Sequence, residues 1–147
     1  MTAFAPSFVS LRVLVVEPDH DLSLTFDTIL GHDGHTVTIT RDAPSAMDAA
    51  AHEPYEFAFV DTRIGPQAIE TLTEAFRAAG NDTAVVLVAD LAEHFDGATL
   101  HRVGGEAVLP TPFGAVELRG VIAKVYGPRY IAAMRKRRVL AQDQAAV

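Results

Sequence analysis

Three carboxylates are the residues best placed, by type and spacing, to do chemistry in this chain: Glu17 and Asp19, flanking Pro18, and Asp61. Each follows a short apolar run, Leu11 to Val16 for the first two and Phe57 to Val60 for the third. Carboxylates that converge could hold a divalent ion through hard oxygen ligands. Glu17 and Asp19 equally suit the start of a helix, where the dipole favours negative charge. There is no cysteine, which excludes disulfides, thiolate metal sites and cysteine nucleophiles. The six histidines, His20, His32, His35, His52, His94 and His101, lack zinc-protease spacing and read as solvated side chains.

The elements that must position these carboxylates are legible as alternating runs. Apolar stretches at Leu11 to Val16, Phe57 to Val60, Ala84 to Ala89 and Ala107 to Leu109, with the alternating Val37 to Thr40, read as five strands. The first and the Ala84 run are nearly continuous, as in a parallel sheet covered on both faces. Between them lie helical patterns. The first starts at Asp19 and Asp21 and is expected to end at Gly31. A second opens at Asp42, Pro44 and Ser45. A third spans Pro66 to Ala79, a fourth Leu91 to Val103 and a fifth Phe113 to Tyr126. The order is (βα)5, an α/β doubly wound parallel sheet with right-handed crossovers. Gly127-Pro128 is expected to punctuate the unit, followed by a helical tail from Arg129 to Leu140. The expected organisation is an N-terminal extension over 1–10, one domain over 11–127 and a basic helical tail over 128–147. In such a sheet ligands bind beyond the carboxyl ends of the strands. Glu17-Pro18-Asp19, Asp61, Val88-Ala89 and Pro110-Thr111-Pro112-Phe113 are therefore expected to meet in one crevice.

Residues 10–126 resemble the receiver domain of bacterial two-component response regulators. The resemblance is carried by Val13-Leu14-Val15-Val16-Glu17, Phe59-Val60-Asp61, Gly104-Gly105 and Leu109-Pro110-Thr111-Pro112-Phe113, in this order and spacing. It implies a flavodoxin-like receiver fold with strand order 2-1-3-4-5. It also implies phosphoryl transfer from a histidine kinase to Asp61, assisted by Mg²⁺ on two acidic residues after the first strand. A hydroxyl residue ending the fourth strand and a Lys before the fifth-strand Pro complete the implied site. The implied docking face joins the fourth helix, fifth strand and fifth helix, with Leu91, Phe95, Leu100 and Val108 as candidates. The Thr111-Pro112 bond is expected to be cis by the same resemblance.

The chain departs from that pattern where charge must be balanced. Glu17 matches the first acidic position, but Pro18 stands at the second and has no side-chain oxygen. Asp19 would replace it only in a rearranged loop. Val88 aligns with the hydroxyl, Thr111 with the Lys, and Val108 with the aromatic switch position. The degenerate pocket is thus Glu17, Pro18, Asp19, Val88 and Thr111 around the phosphoacceptor candidate Asp61. Removing one catalytic electrostatic contact commonly costs about 3–4 kcal/mol, so several losses make phosphotransfer slow or absent. No cofactor is expected to be required, and any Mg²⁺ held by Glu17 and Asp61 is expected to bind weakly. Arg63 is the cation nearest Asp61 in sequence, of unknown direction. Asp61 itself reads either as a retained phosphoacceptor or as a vestigial carboxylate satisfied by backbone N–H groups.

Charge and composition bound the partners. The 147 residues carry a net charge of -7. Residues 1–127 hold 7 Lys and Arg against 18 Asp and Glu; residues 128–147 hold 5 against 1. An acidic body repels nucleic acid and anionic membranes. Only the tail, with Arg135, Lys136, Arg137 and Arg138, could attract an acidic partner or nucleic acid, and a solvated helix end is the commoner meaning of so short a run. No apolar run approaches the roughly 20 residues that span a bilayer. The N-terminus lacks a signal-peptide pattern, so the expected compartment is the cytoplasm. The leading expectation is a non-enzymatic, stand-alone degenerate receiver that docks a protein partner, a histidine kinase or another signalling protein, or forms a homodimer through the face named above. The alternative is a working receiver phosphorylated on Asp61. A nucleotide- or flavin-binding protein is disfavoured by the absence of a GxGxxG or Walker loop. DNA binding through the tail lacks a recognised DNA-binding motif.

Overall fold

The computed structural model describes residues 10–93 and 96–145. His94 and Phe95, named above, lie outside the described residues, as does the side chain of Arg137. The element order is β1 (Arg12–Val16), α1 (His20–His32), β2 (Thr36–Thr40), α2 (Ala43–His52), β3 (Phe57–Asp61), a 3₁₀ turn (Thr62–Ile64), α3 (Pro66–Ala78), β4 (Ala84–Asp90), α4 (Gly97–Arg102), β5 (Ala107–Thr111) and α5 (Ala115–Ala145). The strands form one parallel sheet in the order β2-β1-β3-β4-β5, the doubly wound arrangement expected from the alternating runs.

Alternation along the strands feeds two cores. Val13 and Val15 of β1 join Phe57 and Phe59 of β3 on the face covered by Phe26 and Leu30 of α1 and by Leu118 and Ile122 of α5. Leu14 and Val16 join Ala58 and Val60 on the opposite face, under α2 and α3 through Ala46, Ile69, Leu72 and Phe76. The Phe26 ring sits 5.2 Å from Phe59 and 4.9 Å from Phe113, centroid to centroid. Such aromatic pairs add about 0.5–1.5 kcal/mol each beyond area burial. Helices cover both faces, and β1 and β3 deliver Glu17 and Asp61 at the carboxyl end of the sheet.

Three boundaries differ from the sequence expectation. Helix α1 does not end at Gly31. It continues to His32, and Gly34 takes the left-handed conformation with φ 86°. There His35 N–H donates to the Leu30 carbonyl and Gly34 N–H to that of Gly31, a Schellman closure that needs a residue free of a Cβ. Helix α4 begins at Gly97 and not Leu91. Asp90 Oδ1 accepts Ala92 N–H at 2.8 Å, which turns the chain away from a helix, and Asp96 is the N-cap that starts one, accepting Thr99 N–H at 2.7 Å. Leu91 is consequently 72% exposed, while Leu100 and Val108 pack partly into the core.

The third difference is α5. No break occurs at Gly127-Pro128; the helix runs 31 residues with Pro128 inside it. Proline removes one intrahelical hydrogen bond. Lateral contacts accompany it here: Tyr126 and Tyr130 rings lie 6.0 Å apart across the proline. Arg129 reaches the Asp82 carbonyl, the Asp82 carboxylate at 3.3 Å, and Glu106. The Thr111-Pro112 peptide is cis.

Candidate functional site

The carboxyl ends of β1 and β3 bring Glu17 and Asp61 together under one guanidinium. Glu17 extends β1 by one residue, its N–H donating to the Thr40 carbonyl at 2.9 Å. Its side chain is wholly buried, and Asp61, the last residue of β3, is 4% exposed. The chain then enters the 3₁₀ turn, which Asp61 caps: Asp61 Oδ1 accepts the Arg63 backbone N–H at 2.8 Å. That turn folds the Arg63 side chain back over its own cap. Nε donates to Asp61 Oδ1 at 3.1 Å and Nη2 to Asp61 Oδ2 at 2.8 Å, a two-point pairing. The same Nη2 donates to Glu17 Oε2 at 2.9 Å. Arg63 itself is 55% exposed in its side chain, so it lids two buried acids from the solvent side.

Electrostatics divide the two acids. Burial and the adjoining Asp61 carboxyl push Glu17 up to about 8, against the Asp19 N–H and Arg63, which favour its charged form. Burial also acts on Asp61, but hydrogen bonds from Arg63 and Glu17 outweigh it and hold this carboxyl below its ordinary range. Arg63 is stabilised further as a cation by Asp61 and then Glu17. Burial thus favours the neutral form of Glu17, whereas Arg63 favours the charged form of Asp61. The hydrogen-bond pattern agrees. Glu17 Oε2 already accepts from Asp19 N at 3.1 Å and from Arg63, while Oε1 is buried without a donor. Oε1 has no hydrogen-bond partner among the described residues, so its burial favours the neutral form of this carboxyl.

The remaining sequence candidates do not converge on this pair. Pro18 is exposed. Asp19 caps α1, its Oδ1 accepting from Asp21 N at 2.8 Å and Leu22 N at 3.3 Å. Val88 is the β4 partner of Asp61 in register, but it is buried in the apolar cluster with Phe57 and Phe59. The Thr111 hydroxyl is directed to the Ala89 carbonyl at 3.4 Å. On α5, Arg135, Lys136 and Arg138 are exposed.

Mg²⁺, implied by the receiver resemblance, does not fit this residue set. Pro18 offers no side-chain oxygen, Asp19 is engaged as a cap, and a guanidinium already bridges the two converging carboxyls. Among the described residues no group of three or more His, Asp or Glu side chains could hold a metal ion.

Arg63 was legible in the sequence as the cation nearest Asp61 but not its direction, and Glu93 escaped the sequence reading. The direction of Arg63 depends on the 3₁₀ turn, whose only signal was a capping-competent Asp two residues earlier. Glu93 bridges the β3 and β4 ends, accepting from the Thr62 hydroxyl at 2.8 Å and from Asp90 N at 3.2 Å. Its spacing of three from Asp90 was the available signal.

No family model matches the chain, and no curated protein sequence matches it. Solved structures do. The chemotaxis response regulator CheY4 of Vibrio cholerae is 15% identical over 80% of this chain and 99% of its own, with a TM-score of 0.69. NtrX from Brucella abortus is 22% identical with a TM-score of 0.73, over 88% of this chain but only 30% of its own length. The receiver domain of the sensor histidine kinase PA1611 from Pseudomonas aeruginosa, which holds a magnesium ion in its cleft, is 20% identical over 81% of this chain and 99% of its own, with a TM-score of 0.67. With identities this low, it is the shared path of the backbone that the comparison establishes: the chain has the fold of response-regulator receiver domains.

Proposed function

We propose that this chain is a degenerate receiver, a non-enzymatic signalling module of a two-component system that acts in the cytoplasm by docking a protein partner, with phosphoryl transfer to Asp61 weak or absent. One observation carries the reading: the groups surrounding Asp61 lack what a phosphoryl group would need. Phosphoryl transfer is almost entirely positioning and charge neutralisation. Beside Asp61 on β4 stands the core residue Val88, and Thr111 on β5 turns its hydroxyl to a carbonyl and carries no charge. The sole cation on the carboxylate among the described residues, Arg63, already holds both of its oxygens. A phosphoryl donor would have to displace it to reach either one.

The partner is a histidine kinase or another signalling protein, or a second copy through the face formed by α4, β5 and α5. Leu91 and Val116, 72% and 78% exposed, are large apolar side chains near the carboxyl end of the sheet that a partner could cover. Nucleic acid is a poor partner for an acidic body.

A working phosphoacceptor is the second reading, favoured by the ionised Asp61 at the carboxyl end of β3. Incubation with Mg²⁺ and acetyl phosphate, followed by intact-mass measurement, separates the two. The expected result is an unmodified chain; a stoichiometric phosphoryl adduct lost in Asp61→Asn would establish the second reading.

A further inference from the structure

We infer that Arg63 is the resident counter-cation of this site: a clasp that neutralises the buried Glu17–Asp61 pair from within the chain and fixes the Thr62–Ile64 turn to the end of β1. The inference deepens the proposed function and rests on its reading of Asp61 as a carboxylate held by Arg63 in the unmodified chain.

Three independent features point to a seat built for a planar cation. The first is burial. Glu17 and Asp61 lie almost wholly out of water, and a buried carboxylate persists only if something compensates it. The second is geometry. Asp61 receives Nε and Nη2 on separate oxygens, the fork pairing that a guanidinium makes and an ammonium cannot. The third is connectivity. A single Nη2 atom of Arg63 touches Asp61 and also Glu17, 46 positions away from Arg63, so the contact crosses from β3 to β1 and is more than a local turn. The Arg119–Asp33 pair shares the fork and the sequence distance, but its side chains are 48% and 21% exposed, so it is the burial of both acids that sets the Arg63 seat apart.

Local sequence explains how the seat is filled. Asp61 caps its own turn, which brings the Arg63 backbone N–H to Oδ1 and leaves the side chain one direction in which both acids are reachable. Gly65 follows with φ 99°, a conformation that lets the chain leave the turn and enter α3 at Pro66 without dragging Arg63 away.

Chemical rescue tests the clasp. Thermal melts of the full chain carrying Arg63→Ala are run alone and with millimolar guanidinium chloride, with equal urea as the control. Arg63→Ala is expected to melt lower by on the order of 5 °C or more. Guanidinium is expected to restore part of that loss at concentrations that leave the wild type unchanged, and to do nothing for Arg63→Ala combined with Asp61→Asn. A wild-type melting temperature in Arg63→Ala, or a loss that guanidinium does not reverse, overturns the inference. If Arg63→Ala does not fold, Arg63→Gln decides: a lowered melting temperature supports the clasp and an unchanged one overturns it. No phosphodonor enters these melts. A phosphoryl adduct on the wild type would therefore defeat the proposed function while leaving the clasp standing, and a failed rescue would do the reverse.

Discussion

Arg63 and Arg129 each straddle two acids, and the difference between them lies in the water around the acids. Arg63 joins Glu17 and Asp61, 0% and 4% exposed. Arg129 joins Asp82 and Glu106, whose side chains are 92% and 38% exposed. Both arginines connect elements far apart in sequence, and both would be scored alike by a count of ion pairs. Their energetics differ because solvent already stabilises Asp82 and Glu106, whereas Glu17 and Asp61 have only the chain itself. Exposed pairs contribute about 0–1 kcal/mol. Stripping one partner from a buried pair costs about 3–5 kcal/mol, because a charge is left uncompensated. Position and not pairing makes Arg63 part of the site and Arg129 a fastening of the α5 extension.

The largest expected effect is therefore on the buried side. Arg63→Ala is expected to lower unfolding free energy by about 2–3 kcal/mol, below the full buried-pair figure because Arg63 is itself half-exposed to water. Denaturant titration reads this directly; a change as small as that of an exposed pair would erase the contrast between the two arginines.

Next in size, per pH unit, is a pH effect at Glu17. Its folded pKa of about 8 lies above the ordinary 4.5. Between those values the folded chain keeps a proton that the unfolded chain releases, so stability declines as pH rises through this window and levels off above it. The slope contributed by one such group is at most about 1.4 kcal/mol per pH unit. Glu17→Gln, which cannot ionise, is expected to flatten this decline and to be the more stable protein at pH 9. Asp61 has the opposite sign: its carboxyl is held low, so its contribution is lost as pH falls below the ordinary 3.8. Equal pH slopes for wild type and Glu17→Gln between pH 5 and pH 8 would show that Glu17 is ionised throughout.

The smallest expected effects belong to the exposed clasp. Arg129→Ala is expected to change stability by less than about 1 kcal/mol. Removing residues 130–147 is expected to leave the melting temperature nearly unchanged, since Leu118 and Ile122 hold α5 to the core upstream. Partner binding through Arg135, Lys136 and Arg138 would weaken on truncation, most at low salt where attraction is least screened. A truncation that unfolds the domain would show that α5 beyond Arg129 is structural.

What the sequence disclosed follows the same division between local and non-local causes. Apolar runs, nearly continuous at β1 and β4 and alternating at β2, marked the five strands, because a doubly covered parallel sheet leaves little room for polar residues at its centre. Asp19 and Asp42 marked helix starts because capping is a contact within a few residues. Pro18, Val88 and Thr111 were legible as absences, since a side chain without the needed atom cannot supply it anywhere. Arg63 was visible as a cation near Asp61, but its bridge to Glu17 depends on a β1–β3 register that no local pattern states. Gly127-Pro128 was misread for a related reason: local chemistry favours a break there, whereas tyrosine rings and the Arg129 contacts flank a continuous helix. Leu91 looked like the first residue of a helix only because the Asp90 turn competes for the same backbone.

The most direct test of the account is an amide spectrum of the wild-type chain titrated with Mg²⁺ and beryllofluoride, a mimic of the phosphoryl group. With Arg63 seated between Glu17 and Asp61, the amides of Thr62, Arg63, Leu91 and Thr111 are predicted to stay in place through millimolar additions. A saturable shift at Asp61 and Arg63 that spreads to α4 and β5, and that vanishes in Asp61→Asn, would contradict it.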